Sequence, residues 1–184
     1  MTSTTSATEL IAGTWAVDVA RSEASLVIRH AGAAKARGKI AITEAVITIG
    51  TDVWDSSVTA TLDAASIDTK EADRDEFVRG TELLDVEKFP VLTFVSTSVT
   101  GSGSKGVVTG DLTIHGVTRT VSLATKFNGT SVDSSGSLRG TFTATTELSR
   151  KEFSLTMTGG KETGGLLLGD KIKVSLEIEA VKAA

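Results

Sequence analysis

Alternation with a period of two runs through most of this chain. It is cleanest in "GDLTIHGVTRTVSL", Gly110 to Leu123, where apolar and polar residues alternate on both sides of a His-Gly pair. Successive side chains of an extended strand point to opposite faces, so this pattern builds a pleated surface with one buried and one wet face. Two such runs broken by His-Gly predict a β-hairpin. The period recurs in "TWAVDV", where Trp15, Val17 and Val19 share a face, in "SLVIRH" with Leu26, Ile28 and His30, and in "SSVTATLDAASI" with Val58, Ala60 and Leu62. "KIAITEAVITIG" carries Ile40 and Ile42 and then Val46 to Ile49, which calls for a bulge or turn near Glu44.

Further strands are expected at "VLTFVSTSV", "VVTGDLTI", "TRTVSLATKF", "SLRGTFTATTEL" and "DKIKVSLEIEAV", linked by "TGSGSKG", "HG", "NGT" and "TGGKETGG". With about eight to ten short strands, hairpin-like links and no helical crossovers, the expectation is an all-β, antiparallel closed barrel. One segment departs from the period. In "SIDTKEADRDEFVRGTELLDVEKFP", Asp73 and Glu76 match a capping box and Gly80 a helix stop, which predicts a short helix from Asp73 to Arg79. Phe77, Leu83, Leu84 and Phe89 give this insertion an apolar side, so it is expected to act as a lid over one barrel mouth.

A chain of 184 residues with 40% hydrophobic content is long enough for one domain with a real core, expected over residues 13–184 behind a flexible tail of residues 1–12. The absence of cysteine excludes disulfides, thiolate metal sites and cysteine nucleophiles. A net charge of −4 with scattered Lys and Arg argues against nucleic acid as a partner. No stretch approaches the roughly 20 apolar residues that a membrane span requires. The N-terminus lacks the pattern of a secretion signal, so a cytoplasmic location is expected.

The chain has two histidines. His115 is either a general base, with Asp111 or His30 as its partner, or the corner of a hairpin with Asp111 and Arg119 across the ladder; the hairpin is the favoured reading. His30 shares a face with Leu26 and Ile28, so it either hydrogen-bonds a ligand's head group or sits satisfied in the core or rim. No spacing suited to a metal site is present, and no Gly-x-Ser-x-Gly elbow. "GSGSKG" matches a dinucleotide fingerprint by letter, but a strand rather than a helix follows it, so it reads as a hairpin loop. Asp68, Glu71, Asp73 and Asp75 lack the spacing of a calcium loop and read as a solvated helix with Arg74 and Arg79 as ion-pair partners.

The succession "SIDT", "RDEFVR", "LLDVEKFPVLTFVS" and "GDLTIHGVTRTVSL" resembles the signature of the YceI-like proteins. "WAVD" followed by "LVIRH" is similar to that family's opening strands, "LSRKEF" to its late Arg-x-x-Phe element, and "LGDKIKVSLEIEAV" to its closing strand. The resemblance implies a lipocalin-like barrel of about eight strands that binds and carries or sequesters a long-chain apolar lipid, a polyisoprenoid or acyl derivative, as a bound molecule rather than a catalytic cofactor. It also suggests a homodimer. The chain departs from the family at Arg21-Ser22, where a His-Ser pair is usual, at Leu26, where Phe is usual, and at Leu83-Leu84, where a Phe pair is usual.

On this reading the ligand is lined by Leu26, Ile28, His30, Phe94, Leu112, Ile114 and Phe153, with Phe77, Leu83, Leu84 and Phe89 at the mouth. The alternative is an enzyme acting on an amphipathic small molecule with His30 or His115 as acid or base. A third reading leaves the interior filled by protein alone.

Overall fold

The computed structural model describes residues 10–30, 35–156 and 168–184. Its strands are β1 (Gly13–Val17), β2 (Glu23–His30), β3 (Lys35–Ile49), β4 (Ser57–Asp68), β5 (Val91–Ser102), β6 (Lys105–Ile114), β7 (Val117–Val132), β8 (Leu138–Ser149) and β9 (Leu168–Lys182), with one helix, α1 (Ala72–Arg79). Neighbouring strands pair antiparallel around a ring, β2-β9-β8-β7-β6-β5-β4-β3, which closes through β3 onto β2. β1 occupies the same place in the ring as β2: it joins β3 at residues 46–49 and β9 at residues 180–182, while β2 joins them at residues 35–40 and 168–177. One stave of the barrel is thus made of two short strands laid end to end, and the nine strands close as an eight-stranded barrel.

The turns explain where the strands reverse. Ile114 pairs with Val117, and between them His115 and Gly116 both take positive φ, 55° and 71°, the pair of left-handed residues that matches the twist of a two-residue hairpin. The "GSGSKG" segment is the β5–β6 hairpin, closed by Ser102 opposite Lys105. "NGT" is not a turn. β7 runs through it to Val132, and the ladder slips between Phe127 and Gly129, so Asn128-Gly129 forms a bulge. The β7–β8 turn is supplied by Asp133, whose carboxylate accepts the backbone N–H of Ser135 at 2.9 Å and of Ser137 at 3.0 Å. The expected bulge near Glu44 is present, between Ile42 and Glu44. "TGGKETGG" lies outside the described residues.

Two apolar clusters fill opposite ends. Trp15 (0% exposed), Ile47, Ile49 and Ala180 form the lower one, with Leu10, Val17, Val58, Leu138, Phe142 and Ile178 packed on it. Leu10 therefore belongs to the packed structure, as does Ile11, whose carbonyl accepts the Trp15 indole N–H at 3.0 Å. Val19 does not continue the β1 face; it sits exposed in a 3-10 turn. Leu83, Ile114, Leu148, Phe153 and Leu155 form the upper cluster, beneath the helical insertion.

Four charged groups join the seam where β1 gives way to β2. Arg139 donates to Asp133 at 2.7 Å, to Asp18 at 2.9 Å and to Glu179 at 2.9 Å. The Arg139 guanidinium holds the Asp18 carboxyl below its ordinary range. Asp133 is held far lower still, by the Ser135 hydroxyl first and Arg139 second.

Candidate functional site

The register fixes which residues face inward. On β6 these are Val108, Gly110, Leu112 and Ile114; across the ladder on β7, Val108, Gly110 and Ile114 are matched by Leu123, Val121 and Val117, and Leu112 lies opposite Arg119. On β9, Ile172, Val174, Leu176 and Ile178 face the same space, opposite Ile28, Leu26 and Ala24 on β2. The inward assignments of Leu26, Ile28, Phe94, Leu112 and Ile114 are those of the alternation itself.

The upper end holds most of the residues expected to meet ligand. Phe77, Leu83 and Leu84 of the insertion pack with Leu112, Ile114 and Phe153 into one cluster. Leu26 and Ile28 are half-buried on the same side of the sheet, and the side chain of His30 lies outside the described residues. α1 is anchored by a buried carboxylate: Asp75 accepts both the backbone N–H of Thr69, at 3.0 Å, and its hydroxyl, at 2.5 Å. Arg74 donates to the same threonine's hydroxyl and carbonyl, both at 2.8 Å, and pairs with Glu71 at 3.0 Å. The expected capping box is not formed. Asp73 lies within the helix, Glu71 is the residue before it, and no side chain caps the first turn. Gly80 does end the helix, with its N–H on the Phe77 carbonyl.

Phe89 is placed differently from the other mouth residues. Its ring meets His115 edge-on, 4.8 Å between centroids, and covers the β6–β7 turn. A Cβ on Gly116 would stand 2.8 Å from it, so glycine is required there for space as well as for backbone angle. The His115 Nδ1 is buried and has no hydrogen-bond partner among the described residues. Asp111 is not that partner. It lies opposite Thr120, whose hydroxyl donates to it at 3.3 Å, and Arg119 lies opposite Leu112 rather than Asp111. Among the described residues no carboxylate is hydrogen-bonded to the His115 ring.

The lower half contains a cavity of about 160 Å³. Its inner wall is Ile47, Val108, Leu123, Phe142, Leu176 and Ile178, and it reaches the surface beside the β5–β6 hairpin, where Trp54 and residues 103–106 also line it. None of the residues expected from sequence to contact ligand lines it. The wall nevertheless belongs to the same inward alternation as Leu112 and Ile114, two to six residues further along each strand. Phe94 marks the boundary. It is buried, with the small Ala60 directly opposite on β4, and its ring lies across Gly110, where a Cβ would approach it to 2.5 Å. On β6 this is the level between Val108, in the cavity wall, and Leu112, in the upper cluster.

Comparison with known proteins agrees with this architecture. A "UPF0312 protein" of Ectopseudomonas mendocina is 40% identical over 129 residues, 69% of this chain and 64% of its own length. "Protein YceI" of Salmonella arizonae is 35% identical over 125 residues, 68% of this chain and 62% of its own length. The chain therefore matches somewhat under two thirds of these relatives. Among solved structures, BcnA of Burkholderia cenocepacia superposes with a TM-score of 0.76 at 23% identity, over 89% of this chain and 98% of that one. A polyisoprenoid binding domain from Saccharophagus degradans superposes at 0.69 and 12% identity, over 94% and 100%. At such identities the superpositions establish the fold alone. The YceI-like domain family matches residues 15–180, from the buried Trp15 to the buried Ala180 of the same lower cluster, and by that match the chain belongs to the YceI-like family.

Proposed function

We propose that this protein binds a long apolar molecule, a polyisoprenoid or acyl chain, inside its barrel. The observation that carries the reading is the lower cavity, walled almost wholly by aliphatic and aromatic side chains and reaching the surface at one end. The Saccharophagus domain, named for polyisoprenoid binding, shares this fold and adds support.

The size of the cavity constrains the ligand. A void of about 150 Å³ holds a molecule the size of benzene, about six carbons. At about 0.8 kcal/mol per buried methylene, six carbons supply roughly 5 kcal/mol, close to millimolar affinity. Micromolar binding needs about ten buried carbons. The chain must therefore run past Phe94 towards the upper cluster, where Leu26, Ile28, Leu112, Ile114 and Phe153 would contact it, with displacement of some of these side chains.

Catalysis by His30 or His115 has less support, since the buried Nδ1 of His115 has no carboxylate to orient it among the described residues. Native mass spectrometry of the freshly purified protein, followed by solvent extraction of what it releases, tests the binding reading. A stoichiometric prenyl or acyl species is the expected result. Bare protein that also takes up no such chain on incubation overturns it.

A further inference from the structure

We propose that the outer wall formed by the upper parts of β2, β3 and β9 is a docking surface for an anionic phospholipid bilayer. The inward residues of these strands fix which side chains form that wall. Leu26 and Ile28 face inward on β2, with Gly38 and Ala36 opposite them on β3 and Val174 and Ile172 on β9, and the last two pack on the upper cluster. The residues between them point outward. Val27 lies opposite Arg37 on one side and Lys173 on the other; in the next row Arg29 lies opposite Lys35, and Lys171 comes two residues before Lys173 on the same face of β9. Five of these six positions are basic, and all five basic side chains are exposed. With strands about 4.8 Å apart and same-face residues about 6.7 Å apart along a strand, the grid measures roughly 10 by 7 Å. Residues spread from 29 to 173 in sequence are gathered there by the register.

Little within the fold offsets these charges. Arg29 and Lys35 are like charges placed directly across a ladder, which repel. Lys39, Lys70 and Arg74 each hold a carboxylate, at 2.8, 3.2 and 3.0 Å, whereas none of the five has one within 4 Å among the described residues. Glu147 lies opposite Lys173 on β8, and Asp170, next to Lys171, already accepts the Ser149 hydroxyl and the Lys151 backbone N–H. The chain carries a net charge of −4, so this wall runs against the sign of the whole and orients the molecule towards an anionic surface. A bilayer fits it better than a nucleic acid does, since none of the six positions offers an aromatic ring for a base to stack on. The choice of partner rests on the reading that the barrel carries a long apolar chain, because such a chain resides in membranes and its carrier must meet one to exchange it. Val27 is half-buried and does not project, so the contact is electrostatic and sensitive to salt.

The test is flotation of the whole protein with vesicles of phosphatidylcholine alone and of phosphatidylcholine with about one third phosphatidylglycerol, at low salt and at about 0.5 M salt. Binding is expected to the anionic vesicles only, and to be lost at the higher salt. A basic residue near such a surface contributes about fivefold to binding, so Arg37→Gln combined with Lys173→Gln is expected to weaken it about tenfold or more. Thr100→Glu combined with Ala124→Glu changes the net charge equally at exposed positions on β5 and β7, across the ring, and is expected to weaken binding far less. Equal losses in the two double variants overturn the surface, since net charge alone then explains the binding. No flotation of the unaltered protein with anionic vesicles at low salt also overturns it and leaves the apolar cargo standing. Tighter binding to a duplex oligonucleotide than to the vesicles in the same buffer overturns the assignment to a bilayer. Flotation is read without added cargo, so an empty barrel that takes up no chain but floats with anionic vesicles overturns the cargo reading and not the surface.

Discussion

Phe94 shows what a single side chain decides here. Its ring lies over Gly110 and faces Ala60, so two small residues on neighbouring strands make room for one large one. Phe94→Ala is expected to join the lower cavity to the space under the upper cluster, at a cost of about 3–5 kcal/mol in a denaturant titration. Its binding optimum in a series of alkyl chains should move to longer members. Phe94→Leu, which keeps more of the packing, should show a smaller shift in the same direction; an unchanged optimum in both removes Phe94 as the divider. Gly116→Ala meets two obstacles, a φ of 71° and the Phe89 ring, and should destabilise the protein by about 1–2 kcal/mol or more. The alternation made Phe94 legible as an inward residue. Its role was not, because Gly110 and Ala60 come beside it only through the register of two other strands. His115 was legible as a turn because the His-Gly pair sits between two alternating runs, and both facts are local.

At the scale of the element, α1 is held by what precedes it. Asp75 reaches back to Thr69, just beyond β4, and is itself buried. Asp75→Ala leaves a buried N–H and hydroxyl without an acceptor, expected to cost about 1–3 kcal/mol. Amide exchange over residues 72–79 should accelerate more than exchange in β6 and β7; uniform acceleration would mean that the carboxylate supports the barrel as a whole. The sequence pattern located the helix to within a residue, because its charge and spacing break the period of two. It expected a cap at Asp73 that does not form, and it missed the anchor at Asp75, because the two look alike in sequence and only the fold brings Thr69 over the second of them. Asn128-Gly129 was misread for a related reason. Asn-Gly suits a left-handed backbone whether the strand is turning or bulging, and continuation of β7 to Val132 depends on its partners across the ladder. The site followed the same logic. The charged insertion drew attention to the upper mouth, while nothing local in the β5–β6 hairpin distinguished a loop from a rim.

For the molecule as a whole, the Arg139 cluster ties β8 to β9 and to the segment between β1 and β2, beside the ladders. Asp18 and Asp133 have their carboxyls lowered in the folded state, Asp18 chiefly by Arg139 and Asp133 by Ser135 and then Arg139. Groups lowered on folding stabilise the fold above their unfolded value and lose that contribution as pH falls through the folded one. Stability should therefore hold from neutral pH to about pH 4 and decline below it, measured as the denaturant midpoint against pH. Arg139→Gln should flatten the decline; a decline of the same steepness would assign it to other carboxylates. The number of strands and their closure could be read from sequence, since each strand carries its own period and each turn its own residues. The splitting of one stave between β1 and β2 could not, because it is a relation between both ends of the chain.

That relation also bears on when the barrel can exist. β1 and β2 each have β9 as a neighbour, and the Ser22 hydroxyl reaches across the seam to accept the Glu179 N–H at 3.0 Å, a separation of 157 residues. At roughly 5–20 residues per second, a ribosome needs on the order of ten seconds or more to make the missing partner. For that interval the first strands carry unpaired edges and the second half of the chain is still being threaded out. The barrel therefore cannot close until β9 has been made.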